Sequence, residues 1–134
     1  MLHKAIGNIH DFKRTQVFKA SAKSFVILLM ILGAWVATRD LDVLIGFAYE
    51  DKFKHIFIFF SFSLLMDLST LRKPFWLWKA SPLILYGFLI EILQYFSPDR
   101  AFSLWDWVAD ISGILLYLLV KIFIFKAVNY KINK

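Results

Sequence analysis

The sequence predicts an all-α integral membrane bundle of about four transmembrane helices, with both ends of the chain in the cytoplasm. Three observations predict it. Apolar residues make up 60% of the chain and the mean hydropathy is +0.63, against roughly 45–50% apolar residues in ordinary soluble domains. The apolar residues gather into runs near the ~20 residues a helix needs to cross a bilayer core, and a chain of 134 residues holds about four of them. Lysine and arginine collect on one side of those runs, which sets the orientation. The chain divides into a basic amphipathic N-terminal segment (1–23), a transmembrane domain (24–126) and a basic cytoplasmic tail (127–134).

The N-terminal segment carries Lys4, Lys13, Arg14, Lys19 and Lys23 beside Leu2, Ile6, Ile9 and Phe12 at near-helical spacing. Such a pattern fits a helix lying on an anionic leaflet, and equally a solvated tail that supplies positive charge for topology. A cleaved signal peptide fits less well, because the basic region is long and Ala34-Trp35-Val36-Ala37 places large residues where cleavage prefers small ones. The first span is Phe25 to Ala37, extended to Ser21 or Thr38 when flanking small residues are counted, bounded by Lys23 and Arg39 and near the lower length limit. Leu41 to Tyr49 is too short to cross. It reads as an interfacial loop or, in a sharper version, a re-entrant segment over the polar residues that follow.

The second span runs from about Phe53 to Leu68, dense in phenylalanine, with Asp67, Arg72 and Lys73 at its end available for local pairing. The third begins at Pro74 or Pro82, since proline suits the first turn of a helix and Ser81 can cap the later start. Starting at Pro82 leaves roughly 22 Å of helix, so a start at Pro74 with a kink at Pro82 spans better. Trp76 and Trp78 then lie in the interfacial belt. The fourth span is Leu104 to Phe125, with Trp105 and Trp107 at the other belt.

With both termini inside, the inner face holds Lys4, Lys13, Arg14, Lys19, Lys23, Arg72, Lys73, Lys79, Lys121, Lys126, Lys131 and Lys134. That leaves only Arg39, Lys52, Lys54 and Arg100 of the 16 cations outside. Of the 10 acidic residues only Asp11 and Asp67 stay inside, so the remaining carboxylates gather at the outer face.

Several of those outer polar residues sit inside apolar runs, where an acid costs roughly 2.5–3.5 kcal/mol while each Leu, Ile or Phe recovers only roughly 0.3–0.6 kcal/mol. Glu91 and Gln94 share one helical face, and Asp106 and Asp110 share another, with Gly113 a turn beyond. Between them, Pro98, Asp99 and Arg100 form a turn, so the flanking helices make an antiparallel hairpin with Glu91 and Asp106 at similar depth. Gly87, four residues before Glu91, permits close packing around a buried polar group. Asp51, Lys52 and His55 add a third polar face at the same membrane side. The plain account of this cluster is charge neutralisation that pins helix register. For Asp106 an N-terminal capping pattern, Ser103-x-x-Asp106, serves as well.

Read in order, Asp51-Lys52-x-x-His55, then Glu91-x-x-Gln94 with Pro98 and Arg100, then Asp106 and Gly113, resemble the VanZ-like family of small bacterial membrane proteins, named after a teicoplanin-resistance protein. Asp110 stands where that family usually shows Asn. The resemblance spans roughly Asp51 to Gly113. It implies a multi-pass protein of the bacterial cytoplasmic membrane that acts at the cell envelope and modulates sensitivity to glycopeptides.

Three classes of function remain open. The first is a membrane protein acting on a lipid-linked envelope molecule such as a cell-wall precursor, with membrane lipids as its partners. The second is an intramembrane acid/base enzyme, in which Glu91 or Asp106 with His55 handles protons, while Lys52 and Arg100 hold an anionic headgroup and Asp51, Gln94 and Asp110 complete the substrate contacts. The third is a scaffold or small transporter using the cluster structurally. The oligomeric state stays open. No cofactor-binding or nucleic-acid motif is evident, and the absence of cysteine removes disulfides, thiolate metal sites and cysteine nucleophiles. The carboxylates of Glu91, Asp106 and Asp110 are oxygen donors of a kind that suits a divalent cation.

Overall fold

The computed structural model describes residues 2–39, 50–70, 72–98 and 101–132, with side chains from Thr15 to Tyr130. The segment 41–49 and Arg100 lie outside the described residues, and so does the choice between loop and re-entrant segment. The described chain is all-helical. It has four α-helices, α1 (Leu2–Ala37), α2 (Glu50–Ser69), α3 (Ser81–Tyr95) and α4 (Leu104–Ile132), with a π-helical turn, Trp76–Ala80, leading into α3.

Three segments are long and apolar enough to cross a membrane: Thr15–Ala37, Trp76–Tyr95 and Leu104–Tyr130. Large apolar side chains stay exposed along all of them, among them Ile31, Leu85, Leu119 and Phe123. An exposed apolar surface of that extent needs lipid around it. The structure therefore defines a membrane protein. In α2 the apolar run is flanked by Glu50, Asp51, Lys52 and Lys54 at one end and Asp67 at the other, which sets it apart from the other three.

The expected first span, Phe25–Ala37, lies within one unbroken helix that also carries Lys19 and Lys23, and the apolar segment ends at Ala37 as expected. The third segment starts before Pro82, as the length argument required. Its irregularity is a wide turn in which the Ser81 N–H bonds Trp76 O. Pro82 has no N–H to offer Trp78 four residues back, and a widened turn ahead of the ring accommodates it. Ser81 does not cap a new helix; its hydroxyl donates to Leu77 O at 2.8 Å. At the start of α4, Ser103 does act as a cap, with its Oγ 3.3 Å from the Asp106 N–H that donates to it.

Helices α2 and α4 form the closest pair, and they run parallel. Lys52 meets Asp106, His55 meets Asp110, and Asp67 meets Lys121, so the pairing keeps nearly one offset along the length. Midway, a Cβ on Gly113 would run into the backbone carbonyl of Ile56 and lie 3.0 Å from Phe60 N. Only glycine lets the two backbones come that near. The buried core, Phe59, Phe62, Ala80, Leu83 and Ile114, fills the space between this pair and α3. Helix α3 packs antiparallel to α4 through Phe88 and Trp107, whose rings lie 5.5 Å apart, and through Trp107 Nε1, which donates to Ile84 O at 3.1 Å.

Candidate functional site

Polar side chains meet at the end of the bundle where α2 and α4 begin and α3 finishes. Each is placed by its helix: Lys52 and His55 are three apart on α2, Asp106 and Asp110 four apart on α4, and the parallel register sets the two pairs face to face. Lys52 Nζ donates to Asp106 Oδ1 at 2.7 Å. His55 Nδ1 lies 2.7 Å from Asp110 Oδ1. Asp110 is fully buried, its second oxygen Oδ2 has no hydrogen-bond partner, and it packs against Gly87, where any Cβ would collide with it. Gly87 thus makes the close packing around a polar group that its spacing predicts, although the group is Asp110 rather than Glu91.

Glu91 points inward and is completely buried. Among the described residues its carboxylate pairs with none of Lys52, His55 and Gln94. Instead Oε2 accepts the Ser103 backbone N–H at 2.8 Å, tying α3 to the entry of α4, while Oε1 is buried without a partner. Gln94 turns the other way, donating from Nε2 to Ala37 O of α1 at 3.3 Å. Asp51 is exposed, yet one of its carboxylate oxygens lies within 4.8 Å of donor atoms of both His55 and Asp106.

The donor set that converges is therefore Asp51, His55 and Asp106, not Glu91, Asp106 and Asp110. In the α4 pair, Asp106 reaches that set, whereas Asp110 stands behind the histidine. A carboxylate on one ring nitrogen fixes the tautomer and leaves the other nitrogen to act on a ligand, the same second-layer arrangement found behind metal-binding and catalytic histidines. A lysine already paired with Asp106 competes with any cation there, so these residues fit a metal only poorly.

Beside His55 lies a cavity of about 340 Å3 bounded by α1, α2 and α3. Its walls are apolar, including Val36, Ile58, Phe59 and Ile90, while Asp51, Lys54, His55, Tyr86 and Gln94 supply its polar atoms. Lys54 is paired with Glu50 at 2.6 Å, and Tyr86 donates its hydroxyl to Met30 O at 2.6 Å. An apolar space with polar groups converging on it has the make-up of a small-molecule or lipid site.

A second polar centre, not expected from the sequence, lies at the opposite end. There Asp67 accepts from Lys79, from Lys121 at 2.5 Å and from the Tyr117 hydroxyl at 2.6 Å. The expected local pairing with Arg72 and Lys73 does not occur, because the π-helical turn ahead of α3 brings buried Lys79, and α4 brings half-exposed Lys121, to the carboxylate first. The only available signal was an acid late in one apolar run and a lysine late in another.

Together the buried carboxylates, the oriented histidine and the apolar cavity define the class: a helical membrane protein with a polar centre inside its bundle. Comparison of the chain with protein-family models, with curated proteins and with solved structures finds no match.

Proposed function

We propose that this chain is a cell-envelope protein of the bacterial cytoplasmic membrane, spanning it four times with both ends inside, that binds a lipid-linked molecule at its outer end. The observation that carries the reading is His55, held from behind by buried Asp110 and facing a cavity walled by apolar side chains. The lipid part of the ligand lies in that cavity and its headgroup meets His55, Gln94 and Asp51. Lys52 and Lys54 are each engaged by an acid, so an anionic group on the headgroup relies on Arg100. With Nδ1 fixed by Asp110, the imidazole exchanges a proton through Nε2, and the same arrangement serves binding or acid/base catalysis. The VanZ-like resemblance of Asp51, Lys52, His55, Glu91, Gln94, Arg100, Asp106 and Gly113 supports an envelope role and, with it, altered glycopeptide sensitivity.

Four spans follow from treating α2 as a crossing helix. From Lys52 to Asp67 is about 22 Å of helix, which places both polar ends near the edges of a hydrocarbon layer of about 30 Å. Lys52 and His55 at one end and Asp67 at the other are paired with residues of neighbouring segments, which lessens the cost of burying it. A reporter fused after Lys134 is expected to read as cytoplasmic. An extracellular reading there would overturn the topology and the outward-facing site with it.

Expression in a susceptible Gram-positive host is expected to change sensitivity to lipophilic glycopeptides such as teicoplanin more than to vancomycin, because a membrane site matters most where the drug's own lipid tail inserts. His55→Gln, Glu91→Gln and Arg100→Ala are each expected to abolish that change at unaltered abundance in the membrane. If all three keep the full effect, the cluster serves only to hold helices together, and the scaffold reading takes its place.

A further inference from the structure

The inner end of the bundle holds an arrangement that the proposed outer site does not use. A cavity of about 590 Å3 is walled by Asp67, Arg72, Lys73, Lys79 and Lys121 with Pro74 and Phe75. Four cations thus surround a single acid. Lys79 and Lys121 are bound to Asp67, but one carboxylate carries one negative charge and cannot neutralise both. Arg72 stacks over the Trp78 ring at 4.5 Å, and among the described residues neither Arg72 nor Lys73 has an acidic partner. The cavity wall therefore carries a net positive charge, with two exposed cations still able to bind an anion.

The second observation gives the anion its shape. A groove of about 980 Å3 between α2 and α4 adjoins this cavity, and Phe75 and Lys121 belong to the walls of both. The groove runs along α4 in both directions from Lys121, outward past Phe125 to Asn129 and inward past Leu118 and Tyr117 to Phe60 and Leu64 of α2, and the inward half is the part that lies within the bundle. Lys121 stands seventeen residues beyond Leu104, roughly 26 Å along α4, and so lies near the edge of a hydrocarbon layer of about 30 Å. A basic hollow at that depth, opening onto an apolar groove, matches a molecule with a phosphate at the interface and a chain in the membrane. Basic pockets between transmembrane helices on the cytoplasmic side bind such headgroups. A free phosphate would use the cations and leave the groove without a role.

We propose that the inner end of the bundle is a binding site for an anionic phospholipid, its phosphate held by Arg72, Lys73 and Lys121 and an acyl chain laid along the groove between α2 and α4. Asp67 keeps Lys79 and Lys121 in place. Arg72 and Lys73, with no carboxylate to satisfy, take the phosphate oxygens, and the arginine can do so with two parallel N–H donors.

The test titrates the purified full-length protein in neutral detergent with dioleoyl phosphatidylglycerol, with dioleoyl phosphatidylcholine and with glycerol phosphate, following bound lipid by native mass spectrometry. Phosphatidylglycerol is expected to bind roughly tenfold or more tightly than phosphatidylcholine, with glycerol phosphate failing to displace it. Arg72→Gln with Lys73→Gln is expected to bring phosphatidylglycerol down to the phosphatidylcholine level. Both residues are exposed and outside the core, so the variant folds, and its melting curve in the same detergent checks this. Leu64→Trp, which fills the groove and leaves every cation in place, is expected to weaken phosphatidylglycerol binding severalfold. Equal binding of the two lipids, or unchanged selectivity in the Arg72/Lys73 variant, would overturn the proposal. Displacement by glycerol phosphate would overturn the lipid assignment and leave a site for soluble phosphate.

Discussion

Asp67→Ala is expected to lower the stability of the bundle by about 3–5 kcal/mol, the usual cost of removing one partner from a buried ion pair. Asp67 receives three donors from two other segments: Lys79, Lys121 and the Tyr117 hydroxyl. Without it Lys79, only 4% exposed, is left as a buried ammonium with no counter-charge beyond the face of Phe75 at 5.7 Å. Tyr117, 6% exposed, loses its acceptor at the same time. Thermal unfolding in a fixed detergent measures the loss. Adding Lys79→Met to Asp67→Ala is expected to restore a large part of it, because the penalty lies in the stranded charge more than in the lost attraction. If Asp67→Ala melts like the wild type, the three donors are not held by this acid and the Asp67 end of the bundle is assembled by apolar packing alone.

Gly113→Ala comes next in size, at roughly 1–3 kcal/mol, the range for forcing extra atoms into a packed interior. The new methyl meets backbone on both sides, Ile56 O and Phe60 N, and backbone of a helix cannot rotate aside as a side chain does. Helices α2 and α4 must separate, which also stretches His55 from Asp110 one turn away. Gly33→Ala is the control: its methyl meets the Tyr86 hydroxyl at 3.0 Å, the end of a side chain that can yield. Melting temperatures of the two variants decide the matter. Gly33→Ala falling further than Gly113→Ala would mean that the α2–α4 contact is looser than the close approach described.

The sequence showed some of this plainly. Composition and run length indicated the helical class and about four spans, of which three are long and apolar enough to cross a membrane among the described residues, because lipid demands a crude and continuous signal. Glu91 was legible as inward-facing because exposing a carboxylate to lipid costs more than any local propensity can offset. Gly113 was legible as a position on the α4 polar face, but not as the point where α2 backbone passes over it. Spacing places residues on a face and says nothing of which helix that face meets. For the same reason Asp67 was matched with Arg72 and Lys73, its neighbours along the chain, when its partners were Lys79 and Lys121 across the bundle. That Asp51, His55 and Asp106 share one end of the bundle was legible from polar faces ending at the same membrane side, but which donor atoms come within 4.8 Å depends on α2 and α4 being parallel and in register. Proline at 82 pointed to an irregular helix, but only the structure distinguishes a kink from a widened turn.

The fixed offset between α2 and α4 decides which part of the molecule serves as its frame. Acids on α4 grip bases on α2 at one end, and an acid on α2 grips a base on α4 at the other, so any sliding of one helix past its neighbour breaks ionic contacts at both ends together. Helix α1 has no such fastening among its described side-chain contacts with the rest of the bundle. The Tyr86 hydroxyl and the Gln94 amide reach its carbonyls at Met30 and Ala37, and around them the contact is apolar. Helix α1 forms one wall of the cavity beside His55. The pair α2 and α4 is therefore the frame of the bundle, and the cavity beside His55 has one wall on that frame, at α2, and another on α1.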